Sequence, residues 1–199
     1  KGYKIIYSST ENKVEKTKDL INMFKSRKVD AYIISPIKGI EEDIQILLNE
    51  NKPVILFDRN LPQLNTNYVG ANHFAASYQA VESFIKNGKR NIALVTTDID
   101  VQQIIERFDG YKKAIIDSVL PYQDSLVLKI PFNQAEATTI KQIKTLFKNN
   151  EVDAVLFATN YLAISGLKVL KELNKKIDEN FAVIGYDDHE AFELHTPSI

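Results

Sequence analysis

The 199-residue chain has no cysteine, no tryptophan and one methionine. The missing thiols exclude cysteine nucleophiles, zinc-thiolate sites and disulfides. An excess of either charge is also missing: 25 basic residues against 26 acidic ones leave a net charge of −1 and a pI near 6.4. That balance provides no electrostatic footprint for a phosphate backbone, so these residues by themselves are not expected to hold DNA. No apolar run approaches the roughly 20 residues of a membrane span, and the start, Lys1-Gly2-Tyr3, has no signal-peptide layout. No membrane partner is expected, and the pattern points to a protein inside the cell.

Glycine is sparse, and its placement excludes more than its number. The seven glycines, at 2, 39, 70, 88, 110, 166 and 185, form neither Gly-x-Gly-x-x-Gly nor a P-loop, and no Gly-x-Ser-x-Gly elbow occurs. The three histidines, at 73, 189 and 195, lack the i, i+4 spacing that puts two imidazoles on one helical face. They read as scattered surface residues, and no metal site is expected. Asp187 and Asp188 are adjacent at a strand end and point apart, which is poor geometry for an acid and base pair. The chain is not expected to be an enzyme.

What is present is a rhythm. Hydrophobic content of 44% is ordinary for a globular chain, and it is arranged as short apolar runs alternating with amphipathic stretches. Strands are predicted at Tyr3 to Ser9, Ala31 to Ser35, Pro53 to Asp58, Asn91 to Thr96, Ser125 to Ile130, Asp153 to Ala158 and Phe181 to Tyr186. Helices are predicted at 12–27, 41–50, 72–87, 100–118, 133–148, 161–173 and, more weakly, 188–194. Such alternation implies an α/β fold with parallel sheets. The rhythm breaks once, between Asp58 and Asn72, where Asn60, Pro62, Asn65 and Asn67 crowd a stretch with no crossover helix. This reads as a connection between two lobes, 1–71 and 72–199.

Two late strands are apolar runs that stop at short polar side chains, placing Asn160 and Asp187 at the carboxyl edge of one sheet, where ligands bind in open α/β folds. Arg107, in Glu106-Arg107-Phe108-Asp109-Gly110-Tyr111, offers a planar fork of donors. Phe132 follows a strand directly, where its ring can stack on a sugar or a base. Asp58 ends a strand of the first lobe. Each residue has a structural reading of equal weight. Asn160 and Asp187 suit helix N-caps, Phe132 suits a core, and Arg107 suits a solvated helix face or a pair with Glu106 or Asp109. Convergence on one sheet edge is what favours binding.

Phe57-Asp58-Arg59, Val69-Gly70-Ala71-Asn72, Asn87-Gly88-Lys89-Arg90-Asn91-Ile92-Ala93-Leu94-Val95, Arg107-Phe108-Asp109-Gly110-Tyr111, Phe157-Ala158-Thr159-Asn160 and Val183-Ile184-Gly185-Tyr186-Asp187-Asp188 occur in this order. Together they resemble the LacI/GalR family of bacterial transcription regulators, over essentially the whole chain. The resemblance implies a periplasmic-binding-protein-like effector domain of two Rossmann-like lobes, closing on a small molecule held between them. It also implies a cytoplasmic regulator without a cofactor. By position, Arg107, Asn160 and Asp187 match polar ligand contacts, Phe132 the aromatic that packs on the ligand, and Asp58 a first-lobe contact. Two departures bear on the effector: Tyr161, where members usually carry an aspartate after the asparagine, and Asn72-His73, where they usually carry Asp-Asn.

The resemblance further implies that the chain is a fragment. Members begin with a DNA-binding helix-turn-helix of about sixty residues, whereas this chain enters after the first strand-helix unit and stops at Thr196-Pro197-Ser198-Ile199, before the C-terminal return. Operator DNA would then be bound by residues outside this sequence. Members are homodimers, and Phe192 and His195 fall where their interface lies, Phe192 having no evident core to enter. The expected effector is a sugar or sugar derivative. A solute-binding protein of a sugar transport system is the alternative with the same fold.

Overall fold

The computed structural model describes residues 2–196 and 199. Pro197 and Ser198, at the point where members are expected to turn back, lie outside the described residues, as does Lys1. The chain divides into two compact units, Lys1–Ala71 and Asn72–Ile199.

The first unit contains α1 (Val14–Ser26), β1 (Tyr32–Ile34), α2 (Glu41–Asn49), β2 (Val54–Phe57) and β3 (Asn67–Val69), with the strands in the parallel order β1-β2-β3. Its core gathers Ile21, Tyr32, Ile34, Ile40, Ile44, Leu47, Val54, Leu56 and Leu61. Burial alternates along β1, so Tyr32 and Ile34 enter this core while Ile33 faces outward.

One expectation fails in this unit. Residues 3–9 join neither sheet, and Tyr3, Ile5 and Tyr7 are exposed. An alternating apolar pattern becomes a strand only when a neighbouring backbone takes its hydrogen bonds, and β1 gives its ladder to β2 alone. The Asn-rich stretch after Asp58, which has no crossover helix, ends in a short strand. It returns to lay β3 parallel to β2, with Leu56 opposite Tyr68 and Phe57 opposite Val69. Leu61, buried within that stretch, supplies the apolar anchor that a helix would otherwise provide.

The second unit contains α3 (His73–Lys86), β4 (Ile92–Asp98), α4 (Gln102–Asp117), a single 3-10 turn (Asp124–Leu126), β5 (Val127–Pro131), α5 (Glu136–Asn149), β6 (Ala154–Phe157), α6 (Asn160–Glu172), β7 (Ala182–Gly185) and the short α7 (Glu190–Glu193). The sheet is parallel in the order β5-β4-β6-β7. Because strand side chains alternate, Ala93, Val95, Val155 and Phe157 pack against α5 and α6 while Ile92, Leu94, Ala154 and Leu156 pack against α3 and α4. Every residue of β4 from Ile92 to Thr97 is buried. A strand sealed on both faces reads as a continuous apolar run, which is why these strands were legible in the sequence.

Gly110 sets the approach of α4 to α3. A methyl group there would lie 2.3 Å from the Phe74 carbonyl oxygen and 2.9 Å from Ser77 Cβ, so only glycine lets the helices touch. Phe192 corrects a sequence expectation: it is 3% exposed and belongs to the core with Phe181 and Phe147, so it does have a core to enter. Its apolar character needs no partner subunit to explain it. The neighbouring Leu194 is 87% exposed, and His195 is half-buried.

Gly110→Ala should therefore cost about 1–3 kcal/mol by wedging α3 from α4, and Phe192→Asp about 3–5 kcal/mol by burying a charge in the core. Thermal unfolding checks both. A Phe192→Asp protein that melts with the parent would put this side chain outside the core.

Candidate functional site

The carboxyl edge of the second sheet carries the polar residues that the strand interiors exclude. Arg107, one turn and a half into α4, is 7% exposed despite its charge. Its Nε and Nη2 each lie 3.3 Å from His73 Nδ1, and its Nη1 donates to the Ala158 carbonyl at 2.5 Å. The guanidinium carbon sits 4.0 Å from the centre of the Tyr186 ring, a cation–π stack. Nη1 lies 3.8 Å from an oxygen of Asp187, whose side chain is 54% exposed. Arg107 is thus buried and not a solvated helix residue.

Tyr186 is fixed in turn. Its hydroxyl donates to the His73 carbonyl at 2.9 Å and shares a hydrogen bond with Ser77 Oγ at 3.1 Å. Burial raises its phenol above the ordinary tyrosine value, opposed by the Ser77 hydrogen bond and by the Arg107 charge. The sequence reading missed both His73 and Tyr186. Tyr186 had a signal, being the first residue beyond an apolar strand and beside Asp187. His73 had only a departure from the family pattern, Asn72-His73 where members usually carry Asp-Asn, and its reading as a surface residue is overturned by its 6% exposure. It opens α3 beneath the guanidinium, held there by the Asn72 cap, whose side chain accepts from Ala75 N.

The N-cap readings of Asn160 and Asp187 also fail. Asn160 is the first residue of α6 behind the Thr159 cap, and its amide nitrogen lies 3.5 Å from the Asp188 carbonyl, at the outer limit of a hydrogen bond. The cap of α7 is His189, whose Nδ1 accepts from Ala191 N. Asp187 instead holds a left-handed backbone, φ 62°, two residues after β7. Such geometry, tolerated by aspartate, is held where surrounding structure dictates it.

Phe132 is exposed rather than core, at 59%. With Tyr161 it borders a cavity of about 300 Å³ between β5, α5 and α6, lined also by Ile130, Gln134, Glu136 and Thr139. Glu136 there pairs with Lys168. The second unit thus brings Arg107, Asn160 and Asp187 into one neighbourhood, with Phe132 at the same sheet edge. Asp58 belongs to the first unit, where it also takes a positive φ of 67° and its N–H donates to the Val69 carbonyl. Among the described residues no group of three or more His, Asp or Glu is placed to hold a metal ion. No helix among them is long and apolar enough to cross a membrane.

Tyr186→Phe should keep the stack on Arg107 and lose the two hydroxyl contacts, costing about 0.5–1.5 kcal/mol of stability. Tyr186→Ala should cost more, because it also uncovers a buried cation. Chemical denaturation checks the order, and equal losses would mean that the ring does nothing for the guanidinium.

Residues 1–192 match the family described as periplasmic binding protein domain. The PurR transcriptional repressor of Histophilus somni (strain 129Pt) is 23% identical over 199 residues, covering 100% of this chain and 60% of that protein. The chain therefore spans about three fifths of the curated relatives it matches. Among solved structures, a LacI-family sugar-binding transcriptional regulator from Escherichia coli, complexed with phosphate, is similar with a TM-score of 0.81 and 24% identity, over 94% of this chain and 67% of that one. The transcriptional regulator CelR bound to cellobiose is similar with a TM-score of 0.75 and 24% identity, over 93% and 57%. The chain belongs to the periplasmic binding protein domain family.

Proposed function

We propose that this chain is the effector-binding part of a cytoplasmic transcription regulator, and that its ligand is a sugar or sugar derivative. The observation that carries the reading is Asp187 held half-exposed beside a buried, neutralising Arg107, with the exposed ring of Phe132 at the same sheet edge. A carboxylate that accepts from neighbouring hydroxyls, together with an aromatic face, is the equipment a hydroxylated ring needs. Asn160 adds a donor and an acceptor, and Asp58 is proposed as a contact from the first unit. The cellobiose held by a similar regulator supports a carbohydrate over other small molecules.

In this reading ligand binding controls operator DNA, held by a helix-turn-helix that this sequence does not include. The coupling is a differential affinity of the ligand for two conformations. The whole protein acts as a homodimer, as palindromic operators require. With Phe192 committed to the core, exposed Leu194 and half-buried His195 are the proposed interface residues of this segment. Sedimentation of the full-length protein as a monomer at micromolar concentration would remove the dimer.

Thermal-shift screening of sugars, sugar derivatives and purines identifies the ligand class. Against the best ligand, Arg107→Ala and Asp187→Ala should each weaken calorimetric affinity by about 2–4 kcal/mol, because each leaves polar partners unpaired. Unchanged affinity in both variants rejects the site, whereas purine binding without sugar binding rejects only the ligand class.

A further inference from the structure

Asparagine is chemically fragile where glycine follows it, because no side chain shields the glycine nitrogen from the asparagine's side-chain carbonyl. Asn-Gly occurs once in the sequence, at Asn87-Gly88. The pair ends α3: Asn87 is the C-cap, with φ −89° and ψ 19°, and Gly88 takes a left-handed φ of +83°. Both residues are exposed, and a Cβ at Gly88 would meet nothing within 4 Å. Water therefore reaches both reacting groups.

The cap holds the reactants apart. Asn87 Nδ2 donates to the Ser83 carbonyl at 2.8 Å, and the Gly88 N–H donates to the Ile85 carbonyl at 3.0 Å. Arg90 braces the same turn, its Nη1 donating to the Ile85 carbonyl at 3.1 Å and to the Lys89 carbonyl at 2.8 Å. Closing a ring from Gly88 N to Asn87 Cγ requires Cβ and that nitrogen to be eclipsed about the Cα–C bond, and a ψ of 19° keeps them splayed. These bonds belong to the last turn of a helix, which can open without unfolding the sheet beneath it.

We propose that Asn87-Gly88 is a self-modification site gated by fraying of the α3 cap. When the turn opens, the Gly88 nitrogen gives its proton to hydroxide and attacks Asn87 Cγ. The new N–Cγ bond closes a cyclic imide, and the Cγ–Nδ2 bond breaks with release of ammonia. Water then opens the imide at either carbonyl, leaving aspartate or isoaspartate at position 87. Water enters and ammonia leaves in equal number, and nothing is oxidised or reduced.

Either product weakens the cap. A carboxylate cannot donate to the Ser83 carbonyl, and it sets a negative charge at the helix end that favours cations. Isoaspartate also adds a methylene to the backbone just ahead of Lys89, which is 6% exposed and donates its amine to the Glu179 carbonyl. Beyond it, the N–H groups of Arg90 and Asn91 donate to the Asp153 carboxylate at 2.7 and 3.0 Å. The lesion thus falls at the entrance to β4, the strand sealed on both faces.

Incubating the full chain in oxygen-18 water at mildly alkaline pH, with peptide mass mapping, tests this without any ligand. Asn87 should be the first asparagine to convert, taking up one oxygen-18 and dividing between aspartate and isoaspartate. The folded chain should react on the order of tenfold more slowly than the guanidinium-unfolded chain, as expected of a fraying helix end. That factor should equal the hydrogen-exchange protection of the Gly88 N–H and fall far below that of Leu94, which is fully buried. Asn87→Gln should remove the conversion, and Asn87→Asp should melt below the parent. Another asparagine converting first in the folded chain, or no isoaspartate at 87 in guanidinium, overturns the site. Protection equal to that of Leu94 overturns the gating by the cap, and an Asn87→Asp protein that melts with the parent overturns the link from the cap to β4.

Discussion

Burying the second sheet on both faces is the constraint on which the rest depends. Once β4 and β6 are sealed between α3 with α4 and α5 with α6, burying a polar side chain mid-strand is costly, and the buried polar residues of β4, Thr96 and Thr97, come only towards its end. Polar groups are pushed to the strand ends, and the parallel order sends all four carboxyl ends to one edge. The site is a consequence of that packing. Arg107 gains its position because Gly110, one helical turn further along, lets α4 lie directly on α3.

The buried arginine shows how such an edge tolerates a charge. Desolvating a guanidinium is expensive, and a lone carboxylate, half in solvent and 3.8 Å away, offsets little of that cost. The larger share comes from a ring of neutral partners: an imidazole nitrogen, a backbone carbonyl and a tyrosine face. The exposed part of the arrangement is Asp187.

The two units differ in how completely they are sealed. Ile33 and Phe57 of the first sheet remain exposed, as do Tyr3, Ile5 and Tyr7 ahead of it, whereas the central strands of the second sheet, β4 and β6, bury their side chains almost entirely. Lower apolar burial means a smaller hydrophobic contribution per residue, so the first unit is expected to be the less stable of the two.

The sequence by itself determined the α/β class, the order of the second unit's elements and the place of Asn160 and Asp187 at its carboxyl edge, because strands sealed on both faces write themselves as apolar runs with abrupt polar ends. Family resemblance extended this to the kind of domain. What the sequence could not carry was pairing. Residues 3–9 have strand composition without a neighbour to ladder with, and the stretch after Asp58 has turn composition yet delivers β3. The same limit applied to side chains. His73 lies 34 positions from Arg107, and Tyr186 lies 113 from His73, so nothing local could announce that they form one cluster. Phe192 read as exposed because its core partners, Phe147 and Phe181, come from other elements of the chain. Periodicity is a local property and was legible; which surfaces meet is decided only when the helices close over the sheet.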